Sequence, residues 1–263
     1  MNPTIEFVTT FSVPGYLQYG QQFIDSFVEH CSPEQMTIYH ESQGNIDIHP
    51  RLVWRNLDDL ETRKAFLKEH GSDPVKIGSP ADFNGQSIKF CHKVFAIHDA
   101  YVRSEADVLV WVDSDVVWHA NPDMDRVLPD DKLLAYLGRD PSMDKHWRIN
   151  GVWRPICTET GFVAYRIGDR RVGSLIDDMA SYYTTGEIYT RPKTDWHDAK
   201  AFDVVRERSA IPEGLCHNMS EGLGWPPDVW PRTILSDYAI HNKGVRRKGH
   251  GHARARIRKG PLR

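Results

Sequence analysis

Val108-Leu-Val-Trp-Val-Asp-Ser-Asp-Val116 is the stretch of this chain whose reading decides the fold. An unbroken apolar run rich in Val and Trp, closed by acid-Ser-acid, predicts a short strand buried on both faces. Strand side chains alternate, so the run predicts Asp113 and Asp115 on one face and Ser114 on the other. Two carboxylates at the end of a core strand are costly unless a cation pairs them. A hard divalent metal that also bridges substrate phosphates would do so. The bland alternative is a pair of acids that opens a turn.

Outward from this run, strand and helix patterns alternate. Ile5–Phe11 reads as a strand and Tyr16 to Glu29 as a helix. Met36–Glu41 and Arg51–Leu57 read as short strands, Asp59–His70 as a charged surface helix, and Gly71–Gly85 as a loop. Gln86–Arg103 has helical spacing, with Ile88, Val94, Phe95, Ile97 and Ala100 near one face. After the acid-bearing strand come a strand at Lys132–Leu137, a long Trp-containing connection, a strand at Glu159–Ile167 and helices at Arg170–Tyr183 and Asp195–Arg208. This alternation predicts an α/β fold around a mainly parallel sheet. Ligands of such sheets bind beyond the carboxyl ends of the strands, where Asp113 and Asp115 fall.

A chain of 263 residues with 40% hydrophobic and 26% charged residues suits a compact soluble enzyme. No apolar run is long enough to span a bilayer, and no basic-then-apolar signal segment opens the sequence, so no membrane partner is expected. Cys31, Cys91, Cys157 and Cys216 are scattered without a CxxC pair. That spacing argues against a zinc site or a disulfide framework and makes a reducing cytoplasm the expected compartment. The net charge of −3 hides an asymmetry: nine Lys and Arg and no acid occur from Lys243 onward, so residues 1–242 carry −12. The expected organisation is therefore a catalytic domain at 1–242 and a basic Gly/His-containing tail at 243–263 that orders only against an anion.

A second constellation lies at Tyr238-Ala-Ile-His-Asn-Lys-Gly-Val-Arg-Arg-Lys248. Imidazole from His241 is a good ligand for a manganese-like ion. Gly244 lets backbone amides approach a phosphate, and Arg246, Arg247 and Lys248 can neutralise a diphosphate. The alternative is that His241 closes a strand and the basic residues begin the tail.

With both constellations in view, the chain resembles GT-A-fold glycosyltransferases, which use a nucleotide-sugar donor and a divalent metal. Asp113-Ser114-Asp115 resembles their DxD motif, and His241-x-x-Gly244-x-x-Arg247 resembles the HxxGxxK motif of the glycogenin and lipooligosaccharide galactosyltransferase family. Arg stands where that family has Lys, Lys248 comes one residue late, and the usual Pro-Trp is missing. Thr9-Thr10-Phe11 and Tyr182–Tyr189, with the Trp-His-Asp beyond them, resemble phage and bacterial relatives.

The resemblance implies a Rossmann-type nucleotide-diphospho-sugar transferase domain with Mn2+ or Mg2+ held by Asp113, Asp115 and His241. The donor would be a nucleotide sugar, a UDP-sugar first. Its nucleoside would meet Thr9, Thr10 and Tyr16, although Thr is also a good strand former and Tyr16 could instead pack on the first helix. Its diphosphate would meet Asp113 through the metal, with Gly244, Arg247 and Lys248. Lys89, His92 and Lys93 share a helix face; the family places a basic residue there against the donor sugar, which makes Lys93 the first choice and Lys89 the second. Glu159, Thr160 and Gly161 would line the acceptor side with Trp196 and His197. Gly161 would permit close approach of the sugar.

Asp198, with Asp195 second, is expected near the anomeric carbon or the acceptor hydroxyl, although Asp195 and Asp198 also have the spacing of a helix cap. Asp198 would be the base of an inverting enzyme or would stabilise the cationic sugar of a retaining one; the His241 motif tilts the reading to retention. The acceptor is a saccharide or a modified base in DNA, and the enzyme is expected in the cytoplasm, the host's if phage-encoded. Two other classes remain open: a nucleic-acid-binding module acting through the tail, against which the −12 body argues, and a metal-dependent phosphohydrolase using the same acids.

Overall fold

The computed structural model describes residues 3–41, 49–78, 85–138, 158–223 and 229–242, together with the backbone of 146–149 and 152–155. Its strands are β1 (Ile5–Phe11), β2 (Gln35–His40), β3 (Leu52–Asn56), β4 (Val108–Val112), β5 (Val116–Trp118), β6 (Leu134–Leu137), β7 (His146–Ile149), β8 (Val152–Pro155), β9 (Glu159–Arg166), β10 (Cys216–Asn218) and β11 (Ala239–His241). The α-helices are α1 (Val13–Gly15), α2 (Gln21–His30), α3 (Glu61–His70), α4 (Pro74–Ile77), α5 (Ser87–Arg103), α6 (Met124–Val127), α7 (Arg170–Thr184) and α8 (Asp198–Arg208).

Seven strands form one sheet in the order β10-β6-β9-β4-β1-β2-β3. Every neighbouring pair is parallel except those made by β9, which runs antiparallel to both β4 and β6. The expected mainly parallel α/β sheet is therefore present. All five residues of β4 are buried, as a continuous apolar run in a doubly covered strand should be. Leu109 and Trp111 join one core with Val8, Tyr39 and residues of α5, α7 and α8. Val108, Val110 and Val112 join the other core, with Phe7, Phe27, Trp118 and Trp230.

The direction of β9 sets the surroundings of the two acids. Because it is antiparallel to β4, its first residues lie at the carboxyl end of β4, and Asp113 N–H donates to Gly161 O at 2.8 Å. The chain then turns through Ser114 and leaves the main sheet as β5, which pairs antiparallel with β11 from the far end of the described chain.

Several boundaries differ from the sequence expectation. The acid-bearing strand ends at Val112, so Asp113 and Asp115 stand on a turn rather than on alternate positions of a strand. The helix expected at Tyr16–Glu29 is a single turn, a π-type turn at Tyr16–Gly20 and then α2. Gly15 is packed so closely that a Cβ there would sit 2.6 Å from the Tyr19 hydroxyl. The helix expected from Asp195 begins at Asp198, after a 3-10 turn at Lys193–Asp195. The long Trp-containing connection holds the β7–β8 hairpin. Among the described residues no helix is long and apolar enough to cross a membrane.

Candidate metal centre

Asp113, Asp115 and His241 converge: one ligand atom from each lies within 4.8 Å of the other two. His241 Nε2 is 3.0 Å from Asp115 Oδ1 and 3.9 Å from Asp113 Oδ2. Backbone hydrogen bonds set this geometry. Val116 N–H closes the turn on Asp113 O at 3.3 Å. The β5–β11 register sets His241 opposite Val116, and Asn242 N–H donates to Asp115 O at 3.0 Å. The acids thus share a site because the turn and the β5–β11 pair bring them there.

Two carboxylates and an imidazole make a donor set suited to a divalent cation of the manganese or magnesium kind. The electrostatics already call for positive charge. Burial alone would lower the His241 pKa, but Asp115, Glu159 and Asp113 raise it to about 9. A proton on His241 therefore balances the acids in the metal-free protein, and a cation bound at Nε2 would replace it.

Directly behind the turn lies a buried ion pair. Lys93 Nζ on α5 is 2.9 Å from Asp198 Oδ2 and 3.2 Å from Asp113 Oδ1, and it donates to Thr160 O. It also lies 4.8 Å from the centroid of the Trp111 ring, whose Nε1 donates to Asp113 Oδ1 at 2.9 Å. Thr160 Oγ1 donates to Asp198 Oδ2 at 2.5 Å. Burial would lower the Lys93 pKa, yet Asp113 and Asp198 outweigh it and raise it; burial would raise Asp198, yet Lys93 and Thr160 lower it. The two directions agree on a charged pair.

Of the residues singled out in the sequence, the structure gathers Asp113, Asp115, His241, Lys93, Asp198, Glu159, Thr160 and Gly161. Some roles change. Glu159 and Thr160 face His241 and Asp198 rather than an acceptor surface. Gly161 makes room for a protein ring: a Cβ there would lie 2.8 Å from His241 Cε1 and 3.3 Å from Asp113 Oδ2. Asp198 is 6% exposed and locked to Lys93, which makes it a poor proton acceptor.

Other candidates are directed elsewhere. Thr9 is fully buried and alternates with Phe7 and Phe11 toward the α2 side, so its hydroxyl cannot reach a ligand; Thr10 faces the side that carries Trp111. Tyr16 packs edge-on to Phe11 and Trp54, with ring centroids 5.6 Å and 6.3 Å away. Trp196 packs edge-on to Tyr189, and its Nε1 donates to Arg191 O at 2.9 Å. Capping falls to His197, whose Nδ1 accepts from Lys200 N–H at 3.4 Å, and not to Asp195, which bonds Thr194 Oγ1 at 3.2 Å. Gly244, Arg246, Arg247 and Lys248, with the rest of the tail, lie outside the described residues.

Sequence reasoning missed Tyr19 and Glu41. Tyr19 stands near enough to Asp113, Asp115 and Glu41 for their charge to act on its hydroxyl; burial, before those charges, raises its pKa. Glu41 lines a groove of about 360 Å³ with Ile77, Gln86, Ile88, Lys89 and His92. Lys89 is exposed on this side. His92 is fixed from behind: Arg63 Nε donates to its Nδ1 at 2.9 Å, and its Nε2 is 3.4 Å from Glu41 Oε1. Neither Tyr19 nor Glu41 sits in a pattern that local periodicity could have marked.

No protein-family model matches the chain, and no curated protein matches it significantly.

Proposed function

We propose that the chain is a metal-dependent glycosyltransferase of GT-A type that moves a sugar from a nucleotide-sugar donor, a UDP-sugar first, to an acceptor hydroxyl. The observation that carries this reading is the convergence of His241 on the Asp113-Ser114-Asp115 turn at the carboxyl end of the central strand. Support comes also from the lysine behind the turn, which contacts Asp113 at 3.2 Å.

A divalent cation on Asp113, Asp115 and His241 would stabilise the charge that develops on the departing diphosphate. Lys93 holds Asp113 in place and adds a fixed positive charge behind it, while Asp198 and the Thr160 carbonyl hold Lys93. An ionised, buried Asp198 suits electrostatic support of a cationic sugar better than proton abstraction. That favours retention, in which the bond from the anomeric carbon to the diphosphate oxygen breaks, the acceptor oxygen bonds the same face, and its proton passes to the departing phosphate. The acceptor in this reading is a saccharide hydroxyl or a modified base in DNA, with the cytoplasm as the expected compartment.

A thermal-shift screen of nucleoside diphosphates and nucleotide sugars, each with and without Mn2+, tests the reading, because a ligand of the native state raises its melting temperature. The expected result is a metal-dependent shift with one nucleotide sugar, followed by release of nucleoside diphosphate. Release of sugar phosphate would instead identify a phosphohydrolase. A metal-independent shift with DNA alone would identify a nucleic-acid-binding module.

A further inference from the structure

The start of β9 carries Glu159 and Gly161 two residues apart, so both lie on one face of the strand. Both meet the same imidazole. Gly161 leaves the space that His241 Cε1 occupies, and Glu159 Oε1 lies 3.3 Å from Nδ1, off the line of a good hydrogen bond. The Trp230 ring covers the imidazole at 5.0 Å between centroids, and Trp230 is itself held by Nε1 donating to Ala239 O at 3.0 Å. The side chains of His241 and Glu159 are 5% and 8% exposed. The ring is thus enclosed on both sides, with Nε2 toward Asp115 and Nδ1 toward Glu159.

We propose that Glu159 is a positioning residue for the metal centre, which fixes His241 in the Nδ1–H form and so leaves Nε2 free to bind a divalent cation. The inference rests on the metal reading of Asp113, Asp115 and His241, and it replaces the acceptor-binding role that the sequence suggested for Glu159. A neutral imidazole carries its one proton on either nitrogen, and only the form protonated at Nδ1 offers a lone pair at Nε2. A carboxylate at Nδ1 selects that form, sets the ring's orientation and makes Nε2 a better donor. A sugar acceptor reaching Glu159 would have to enter a site already filled by the imidazole, at a carboxylate that is almost fully enclosed. Asp115 cannot perform the same task, because it stands at the nitrogen that faces the cation.

The test uses the full chain and Mn2+ or Mg2+ alone as the probe. Calorimetric titration with Mn2+ compares the wild type with Glu159→Gln, which keeps an acceptor oxygen without the charge, and with Glu159→Leu, which keeps neither. Affinity is expected to fall about 10- to 100-fold in Glu159→Leu, with Glu159→Gln between it and the wild type. In the same samples with Mg2+, the nitrogen-15 signals of the His241 ring report which nitrogen is protonated. The wild type and Glu159→Gln are expected to hold the proton on Nδ1, and Glu159→Leu to lose that preference, a change that general loosening of the fold would not produce. If Glu159→Leu is too unstable to titrate, the near-isosteric Glu159→Gln still decides through its affinity. Wild-type affinity in folded variants, with the proton still on Nδ1, overturns the role of Glu159 while leaving the metal reading intact. A wild-type protein that binds no Mn2+ removes both.

Discussion

Replacing Lys93 by Met probes whether a buried ion pair holds the candidate centre together. The substitution preserves most of the side-chain volume but leaves Asp198, 6% exposed, without the ammonium 2.9 Å away. It also strips Asp113 of its contact at 3.2 Å and the Thr160 carbonyl of a donor. Breaking one side of a buried pair costs about 3–5 kcal/mol, because a charge is left desolvated and uncompensated. With a urea dependence of about 3 kcal/mol per molar, the unfolding midpoint should fall by about 1 M or more. Asp198→Leu in the same background removes the orphaned charge, so the double variant should be more stable than the single one, a coupling of about 1–3 kcal/mol.

The pH dependence has a definite sign. In the wild type the folded Asp198 pKa is depressed, so its contribution is present above the usual carboxylate range and is lost as pH falls. In Lys93→Met the largest opposing charge is gone, and burial, the largest single influence, outweighs the remaining Thr160 hydrogen bond and raises the folded pKa above the unfolded value, so the penalty is full at high pH and shrinks on acidification. Urea unfolding of the four proteins of this cycle, Asp198→Leu alone included, from pH 5 to pH 8 should show Lys93→Met approaching the wild type at the acid end. A loss under about 1 kcal/mol, strict additivity in the double variant or a gap independent of pH would refute this account of the pair.

Asp113→Asn or Asp115→Asn should abolish any Mn2+-dependent rise in melting temperature, and without metal neither should stabilise the protein, because Lys93 and His241 already relieve the crowding of the acids. Metal-free melting temperatures above the wild type would contradict that balance. Gly161→Ala should keep the fold but displace the His241 ring, since its Cβ would come within 2.8 Å of Cε1; an unchanged Mn2+ titration would show that the ring is not seated there. Burial, then the neighbouring Arg63, lowers the His92 pKa from 6.5 to about 4, so the unfolded chain binds the proton first and stability rises with pH between those values. The window is worth up to about 3 kcal/mol, and His92→Gln should flatten the stability profile across it, as chemical denaturation from pH 4 to pH 7 would register.

What the sequence determined by itself was local. The run Val108–Val112 is apolar at every position, so it had to be covered on both faces, and that placed it at the centre of a mainly parallel sheet with its acids at the ligand-binding end. The helical spacing of Gln86–Arg103 likewise foretold α5, the element that carries Lys93.

What tertiary structure decided was everything that depends on partners far apart in the chain. Strands β5 and β11 are three residues each, too short for any periodic signal, yet their pairing brings His241 to Asp115. The reversed direction of β9 turns Glu159, Thr160 and Gly161 toward the protein's own His241 and Asp198. The face on which Thr9 stands is set by alternation along β1 once that strand lies between β2 and β4. The Lys93–Asp198 pair joins two helices whose amphipathic patterns are separately legible but contain nothing about each other. Periodicity fixes which face a residue takes within its own element; only the packing of elements against one another sets which charges share a desolvated site, and that is where a buried carboxylate becomes a metal ligand, an anchor or a prop.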